Sequence, residues 1–154
     1  MRNHYWVKIS VTDLNFWEKD LQELTDSEWE LLCDGCGQCC MHKFEDEDTE
    51  EMLTTDIACR LFNAEKCCCS DYKNRLLKVT ACLNIRSFDA EHYRWLPETC
   101  AYRLRFEGKP LFAWHPLISG DVESVQQAGV SMRGCCISEN DVPEDEWTNH
   151  IQET

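Results

Sequence analysis

Apolar positions recur at near-helical spacing in a few short stretches and give way to cysteines between them. From Asn15, the positions Phe16, Trp17, Leu21 and Leu24 alternate with Glu18, Lys19, Asp20 and Glu23, which predicts a helix. Thr25-Asp26-Ser27-Glu28 is a capping-box signature. It predicts a second helix from about Asp26 to Leu32 that buries Trp29 and Leu32 and delivers the chain into Cys33. Met52 to Cys59 has strand composition. Leu61 to Ala64 reads as a turn into Cys67-Cys68-Cys69, and Tyr72 to Thr80 fits either helix or strand.

Further on, Asp89 to Trp95 predicts a helical turn. Thr99 is placed to cap a helix from about Cys100 to Phe106 that stops at Gly108. Lys109 to Leu117, with two prolines, predicts ordered irregular structure. Val122 to Ala128 reads as a helix ending at Gly129, and Val130 to Ile137 as a strand carrying Cys135 and Cys136. The polar tail from Glu139 has Trp147 as its anchor. Residues 1–13 lack a pattern and are expected to form a variable N-terminal segment; residues 14–154 form a single cysteine-cluster metal-binding domain. The expected class is α+β, α-rich, with short strands and a cysteine-ligated metal stabilising it.

Charge narrows the partners. The net charge of −14 leaves no basic footprint of the kind that displaces counterions from nucleic acid, so neither nucleic acid nor an anionic membrane is expected. No apolar run reaches membrane-spanning length. The acidic run Glu45 to Glu51 reads as a solvated loop. Twelve cysteines in 154 residues suit either a disulfide scaffold or metal sites. Lys8 breaks the N-terminal apolar stretch and no small-residue cleavage site follows, so a secretory signal is not expected. The expected compartment is the cytoplasm, where clustered cysteines read as metal or redox sites.

The chain centres on Cys33-Asp34-Gly35-Cys36-Gly37-Gln38-Cys39-Cys40. In this C-x2-C-x2-C spacing Cys33, Cys36 and Cys39 can face one point. Gly35 and Gly37 permit the positive φ that so tight a loop needs, and they leave backbone N–H groups free to meet sulfur. The run is close to the one that holds three corners of an iron–sulfur cubane, without the Cys-Pro that closes the ferredoxin pattern. Zinc more often takes two thiols from such a loop and two from elsewhere. Cys39 and Cys40 are neighbours whose side chains diverge, so Cys40 is left to serve a second metal, to bridge, or to pack. In an extended segment Cys67 and Cys69 share a face and Cys68 takes the other. With Cys59, Cys82 and Cys100, nine candidate thiols result. Eight fill two four-thiolate sites with one spare; alternatively four hold one cluster while the rest hold zinc or pack. His42 and His115 are further candidates, as ligands or proton donors, with packing the plainer reading for His115. Arg60, Arg103 and Arg133 are read as ion-pair partners. No Walker loop, dinucleotide fingerprint, G-x-S-x-G or H-E-x-x-H occurs, so no catalytic residue is assigned.

The chain resembles the bacterial CxxCxxCC cysteine-cluster family (YkgJ- and YcgN-like proteins). The likeness lies in Cys33 to Cys40, Phe16-Trp17, Ser27-Glu28-Trp29-Glu30, Leu32, His42-Lys43 and Glu47-Asp48-Thr49. It continues in Ala58-Cys59-Arg60, Cys67-x-Cys69 with Tyr72, Cys82, Trp95-Leu96-Pro97 and Thr99-Cys100-Ala101-Tyr102-Arg103. It closes with Ala113-Trp114-His115-Pro116-Leu117, Ser119-Gly120 and Val130-Ser131-x-Arg133. The resemblance implies chelation of zinc or iron. It also implies Cys33, Cys36, Cys39, Cys40, Cys59, Cys67, Cys69, Cys82 and Cys100 as the family cysteines, with Cys68, Cys135 and Cys136 outside the pattern. The expected function is a zinc or iron(–sulfur) centre in a structural or metal-handling role, the alternative being an iron–sulfur redox enzyme or electron-transfer component.

Overall fold

The Thr25 capping box sets the frame. In the computed structural model, which describes residues 15–153, the Thr25 hydroxyl accepts from the Glu28 N–H at 3.2 Å and the Glu28 carboxylate accepts from the Thr25 N–H at 2.9 Å. Helix α1 therefore spans Asp26–Leu32 and ends in extended backbone at Cys33. The expected variable segment 1–13 lies outside the described residues.

The stretch before α1 is not the helix that its spacing predicts. It forms two 3-10 turns, Phe16–Glu18 and Leu21–Glu23, because Lys19 and Asp20 between them take extended dihedrals. Its apolar side chains are buried all the same. Phe16 and Leu24 join Trp29, Leu32, Tyr93, Leu96, Ala101 and Tyr102 in one cluster. Tyr102 crosses to α1, where its hydroxyl donates to the Trp29 carbonyl at 2.7 Å.

After the cysteine loop, β1 (Met41–Glu45) pairs antiparallel with β2 (Met52–Ala58), and the acidic run forms the exposed turn between them. Strand β1 is absent from the sequence reading, since Met-His-Lys-Phe-Glu has weak alternation. The register slips between Met41 and Lys43, a bulge that re-aims His42. A two-residue hairpin of β3 (Phe62–Asn63) and β4 (Cys68–Cys69) follows. The Tyr72 region is helical: a 3-10 turn runs into α2 (Arg75–Lys78). The helical turn expected near Trp95 is the 3-10 turn His92–Trp95. Helix α3 (Ala101–Phe106) has Cys100, not Thr99, at its N-cap, with no side-chain cap bond.

Two short helices, α4 (Pro116–Ser119) and α5 (Ser124–Gln127), follow. The strand expected over Val130 to Ile137 is cut to β5 (Ile137–Ser138), which pairs parallel with β2. Gly134, at φ 71°, breaks extension there, and the segment spends its hydrogen bonds on loops: Met132 N–H to Cys36 O, and Gly134 N–H to Ala64 O. Trp147 does anchor the tail. Its ring lies 4.2 Å from that of His42, and Gln152 N–H donates to Thr54 O. The result is a small single domain of short helices and short strands. Among the described residues, no helix is long and apolar enough to cross a membrane.

Candidate metal centre

The cysteine loop is built from both ends. Helix α1 fixes Cys33, and His115 fixes the end of α1. The His115 Nε2–H donates to Leu32 O at 2.9 Å, while its Nδ1 accepts from the Leu117 N–H at 3.0 Å. Both ring nitrogens are thus engaged in holding backbone. Burial pushes the His115 pKa below its ordinary 6.5, which keeps the ring neutral. This is the packing reading of His115. At the far end, Gln38–Cys40 forms a 3-10 turn whose last carbonyl accepts from Cys59 N–H at 2.9 Å. Between the ends, Gly35 and Gly37 lie at φ 77° and 79°. A Cβ on Gly37 would stand 2.6 Å from the Phe62 ring and 3.0 Å from Cys67 Sγ, so glycine is needed there for space as well as for backbone.

All twelve cysteines are free thiols. The nine family cysteines line two adjoining cavities. The larger, about 590 Å³, is walled by Cys33, Cys39 and Cys40 from the loop, Cys59 beyond β2, Cys67 to Cys69 of the hairpin, and Cys82. The smaller, about 30 Å³, is walled by Cys33, Cys36, Cys39 and Cys100. Cys33 and Cys39 belong to both walls; Cys135 and Cys136 belong to neither. The hairpin departs from the extended segment expected of it: Cys67 sits at φ 51°, so strand alternation begins only at Cys68, and Cys68 also borders the larger cavity. Among the described residues, no three Cys, His, Asp or Glu side chains are grouped tightly enough to enclose an ion. The thiols face shared space without meeting at a point.

Burial and neighbouring acidic groups hold the thiols of that space in their protonated form. Burial first, then Asp34 and the neighbouring thiols, pushes the Cys36 thiol well up. For Cys40 the largest cause is its hydrogen bond with Cys39, followed by burial and by Cys39, Cys59 and Cys69. Burial raises Cys59, Cys82 and Cys100 as well. Thiols packed this way keep their protons until a positive charge replaces them. Asp34 accepts from Cys36 N–H through Oδ1, but its buried Oδ2 has no hydrogen-bond partner. Lys43 supplies a fixed positive charge beside the loop. Its Nζ donates to Gln38 O and Met41 O, both at 3.0 Å, and burial lowers its pKa. A soft cation fits this donor set: thiol sulfur in quantity and an unsatisfied carboxylate oxygen.

The other candidates are engaged in bracing. His42 contacts Glu139 at 2.6 Å and borders the larger cavity. Arg60 pairs with the same Glu139, Arg103 with Glu107, and Arg133 with Glu123. The sequence reading gave no role to Lys43, Asp34 or Ser131, which lies 3.5 Å from Cys67 Sγ. Only a lysine and an aspartate so close to the cysteine run could have signalled the first two.

A family model described as "Putative zinc- or iron-chelating domain" (CxxCxxCC) matches residues 32–101, the stretch that carries every cysteine of the two cavity walls. Curated relatives extend the likeness beyond it. A UPF0260 protein of Marinobacter nauticus is 49% identical over 142 residues, covering 92% of this chain and 96% of the relative. One of Rhizorhabdus wittichii is 53% identical over 130 residues, covering 84% and 89%. One of Brucella melitensis biotype 2 is 54% identical over 125 residues, covering 80% and 82%. No solved structure matches the chain. With every cavity-lining cysteine inside the matched stretch and likeness to these relatives over most of their length, the chain belongs to the CxxCxxCC-bearing UPF0260 family.

Proposed function

We propose that this is a metal-binding protein of the reducing cytoplasm, whose family cysteines hold zinc or iron in a structural or metal-handling role. The observation that carries this reading is the convergence of ten thiols, the nine family cysteines and Cys68, from segments far apart in sequence, on two adjoining cavities. A fold that needed only small buried side chains would not gather thiols, and a disulfide scaffold would pair them. The cation replaces thiol protons, neutralises the thiolates and ties the loop at Cys33 to segments ending at Cys100; metal binding is then coupled to folding. When bound, zinc supplies a fixed tetrahedral charge, and iron with sulfide supplies one-electron chemistry.

A second reading, an iron–sulfur redox or electron-transfer protein, is favoured by one observation. The 590 Å³ cavity has far more room than one ion needs and falls in the size range of ligand sites. Metal and acid-labile sulfide analysis of the anaerobically purified, untagged chain decides between the two. Zinc without sulfide supports the structural or metal-handling role. Iron with matching sulfide, and a visible absorption that bleaches with dithionite, supports the second. A chain that carries and takes up no metal rejects both.

A further inference from the structure

We propose that the larger cavity is a binding site for a small organic anion, an apolar body with one carboxylate or equivalent acidic head, and that Lys43 and Arg75 receive the head. This site goes beyond the metal reading and does not depend on what the thiols carry.

Charge in the cavity wall is unevenly matched. The chain has 29 acidic and 15 basic side chains, so carboxylates are in excess and a cation can readily find one. The three carboxylates of the wall are engaged: Asp26 pairs with Arg86 at 3.2 Å, Glu45 with Arg94 at 2.7 Å, and Glu30 accepts from the Tyr72 hydroxyl at 3.2 Å. Of the wall's basic side chains, Arg86 and His42 have acidic partners, Asp26 and Glu139. Lys43 and Arg75 contact only backbone carbonyls and a ring among the described residues.

Lys43 is the sharper case. An ammonium carries three N–H donors. Two go to Gln38 O and Met41 O, both at 3.0 Å, and the third has no acceptor among the described residues. A largely buried cation held by carbonyl dipoles alone is costly until an anion joins it. Strand β1 carries Lys43, and the two carbonyls belong to the 3-10 turn and its C-cap, so an acidic head would meet a charge already fixed in place. Arg75 is fixed as well. Its guanidinium lies 3.8 Å over the Tyr72 ring and donates to Tyr72 O at 2.7 Å, one of its five donors.

The rest of the wall selects an organic body over an inorganic ion. Trp29, Leu61, Phe62, Leu83, Ile85 and Trp95 line it, and its volume of about 590 Å³ suits a small molecule. An inorganic anion would leave that apolar surface uncovered; an apolar body behind the acidic head covers it.

The test titrates the anaerobically purified full-length chain with anilinonaphthalene sulfonate and, separately, with phenylnaphthylamine, the same ring body without the acidic head. Fluorescence follows binding, and bound metal is counted in the same samples. The sulfonate is expected to bind at one per chain. Lys43→Met, which keeps the side chain's length and removes its charge, is expected to weaken the sulfonate about tenfold and to leave the neutral amine unchanged. Arg75→Gln is expected to weaken the sulfonate roughly two- to fivefold, again without effect on the amine. A chain that binds no sulfonate, an unchanged sulfonate affinity in either variant, or an equal loss for sulfonate and amine overturns the anion site. A Lys43→Met chain that fails to fold leaves the decision to Arg75→Gln. Any of the overturning results with zinc or iron still bound leaves the metal reading intact. Charge-selective binding of the sulfonate by a chain without metal upholds the anion site while rejecting the metal reading.

Discussion

The apolar cluster around α1 and α3 and the thiol-lined cavities beside it share a wall at Cys33, Cys39 and Cys100, yet they are built on different terms. On the apolar side, Leu32 and Phe16 are essentially sealed from solvent, and each contact excludes water at roughly 25 cal/mol per Å². On the thiol side β1 and β2 supply part of one wall, and the rest of the regular structure comprises two-residue strands, a four-residue helix and single 3-10 turns. Such fragments bury too little to be stable alone. What the difference teaches is that one half can fold by burial, while the other, on the function proposed above, is completed by a bound cation.

Metal removal is the strongest way to break this contrast. Losing thiolate-held metal costs on the order of 10 kcal/mol, which is as large as a domain's whole stability. Chelation should therefore melt the thiol half and drop the melting temperature steeply. Unchanged circular dichroism and melting temperature after verified removal would show that the two halves are held alike. Leu32→Ala strikes the other side. It should cost about 2–5 kcal/mol in urea unfolding, with or without metal. A loss seen only in the metal-bound protein would mean that the apolar cluster depends on the cation too.

Gly37→Ala probes the shared edge. The added methyl meets the Phe62 ring and Cys67 Sγ on a left-handed backbone, at a cost of at least about 1–2 kcal/mol. Metal affinity should fall with stability; a fall in stability alone would place the glycine outside the metal's reach. His115 links the halves through pH. Its folded pKa lies below the unfolded 6.5, so the unfolded chain binds the extra proton. Its stabilising share is complete above pH 6.5 and drains as the pH falls below it, by at most about 1.4 kcal/mol per unit. His115→Gln should flatten the melting temperature between pH 7 and pH 5 relative to wild type; an unchanged slope would assign the dependence elsewhere. The smallest effect is Thr25→Ala, about 1 kcal/mol by urea unfolding, with metal stoichiometry unaltered.

Legibility followed the same divide. Helix α1 was readable to the residue because its signals are local: a capping box at one end and a cysteine loop at the other. The turns around Phe16 misled the reading, since the apolar spacing holds while Lys19 and Asp20 extend the chain between them. The strand expected from Val130 fails for a nonlocal reason. Met132 and Gly134 donate to Cys36 and Ala64, partners no periodicity can announce. At the site, residue type was informative and placement was not. The nine thiols could be named from the chain, but only the folded arrangement shows Cys33 and Cys39 facing two cavities and Cys67 turned toward carbonyl oxygens.

The wall that unites Cys33 and Cys39 with Cys100 has a consequence in time. During synthesis, at about 5–20 residues per second, the loop's thiols precede Cys100 by about 3–12 s. In that interval the loop has no fourth wall, and Met132, which braces it, is still to come. If the thiols hold a metal as proposed, the nascent chain is most open to oxidation or to capture of the wrong ion before Cys100 arrives, so the redox state around the ribosome bears on which chains ever reach the finished arrangement.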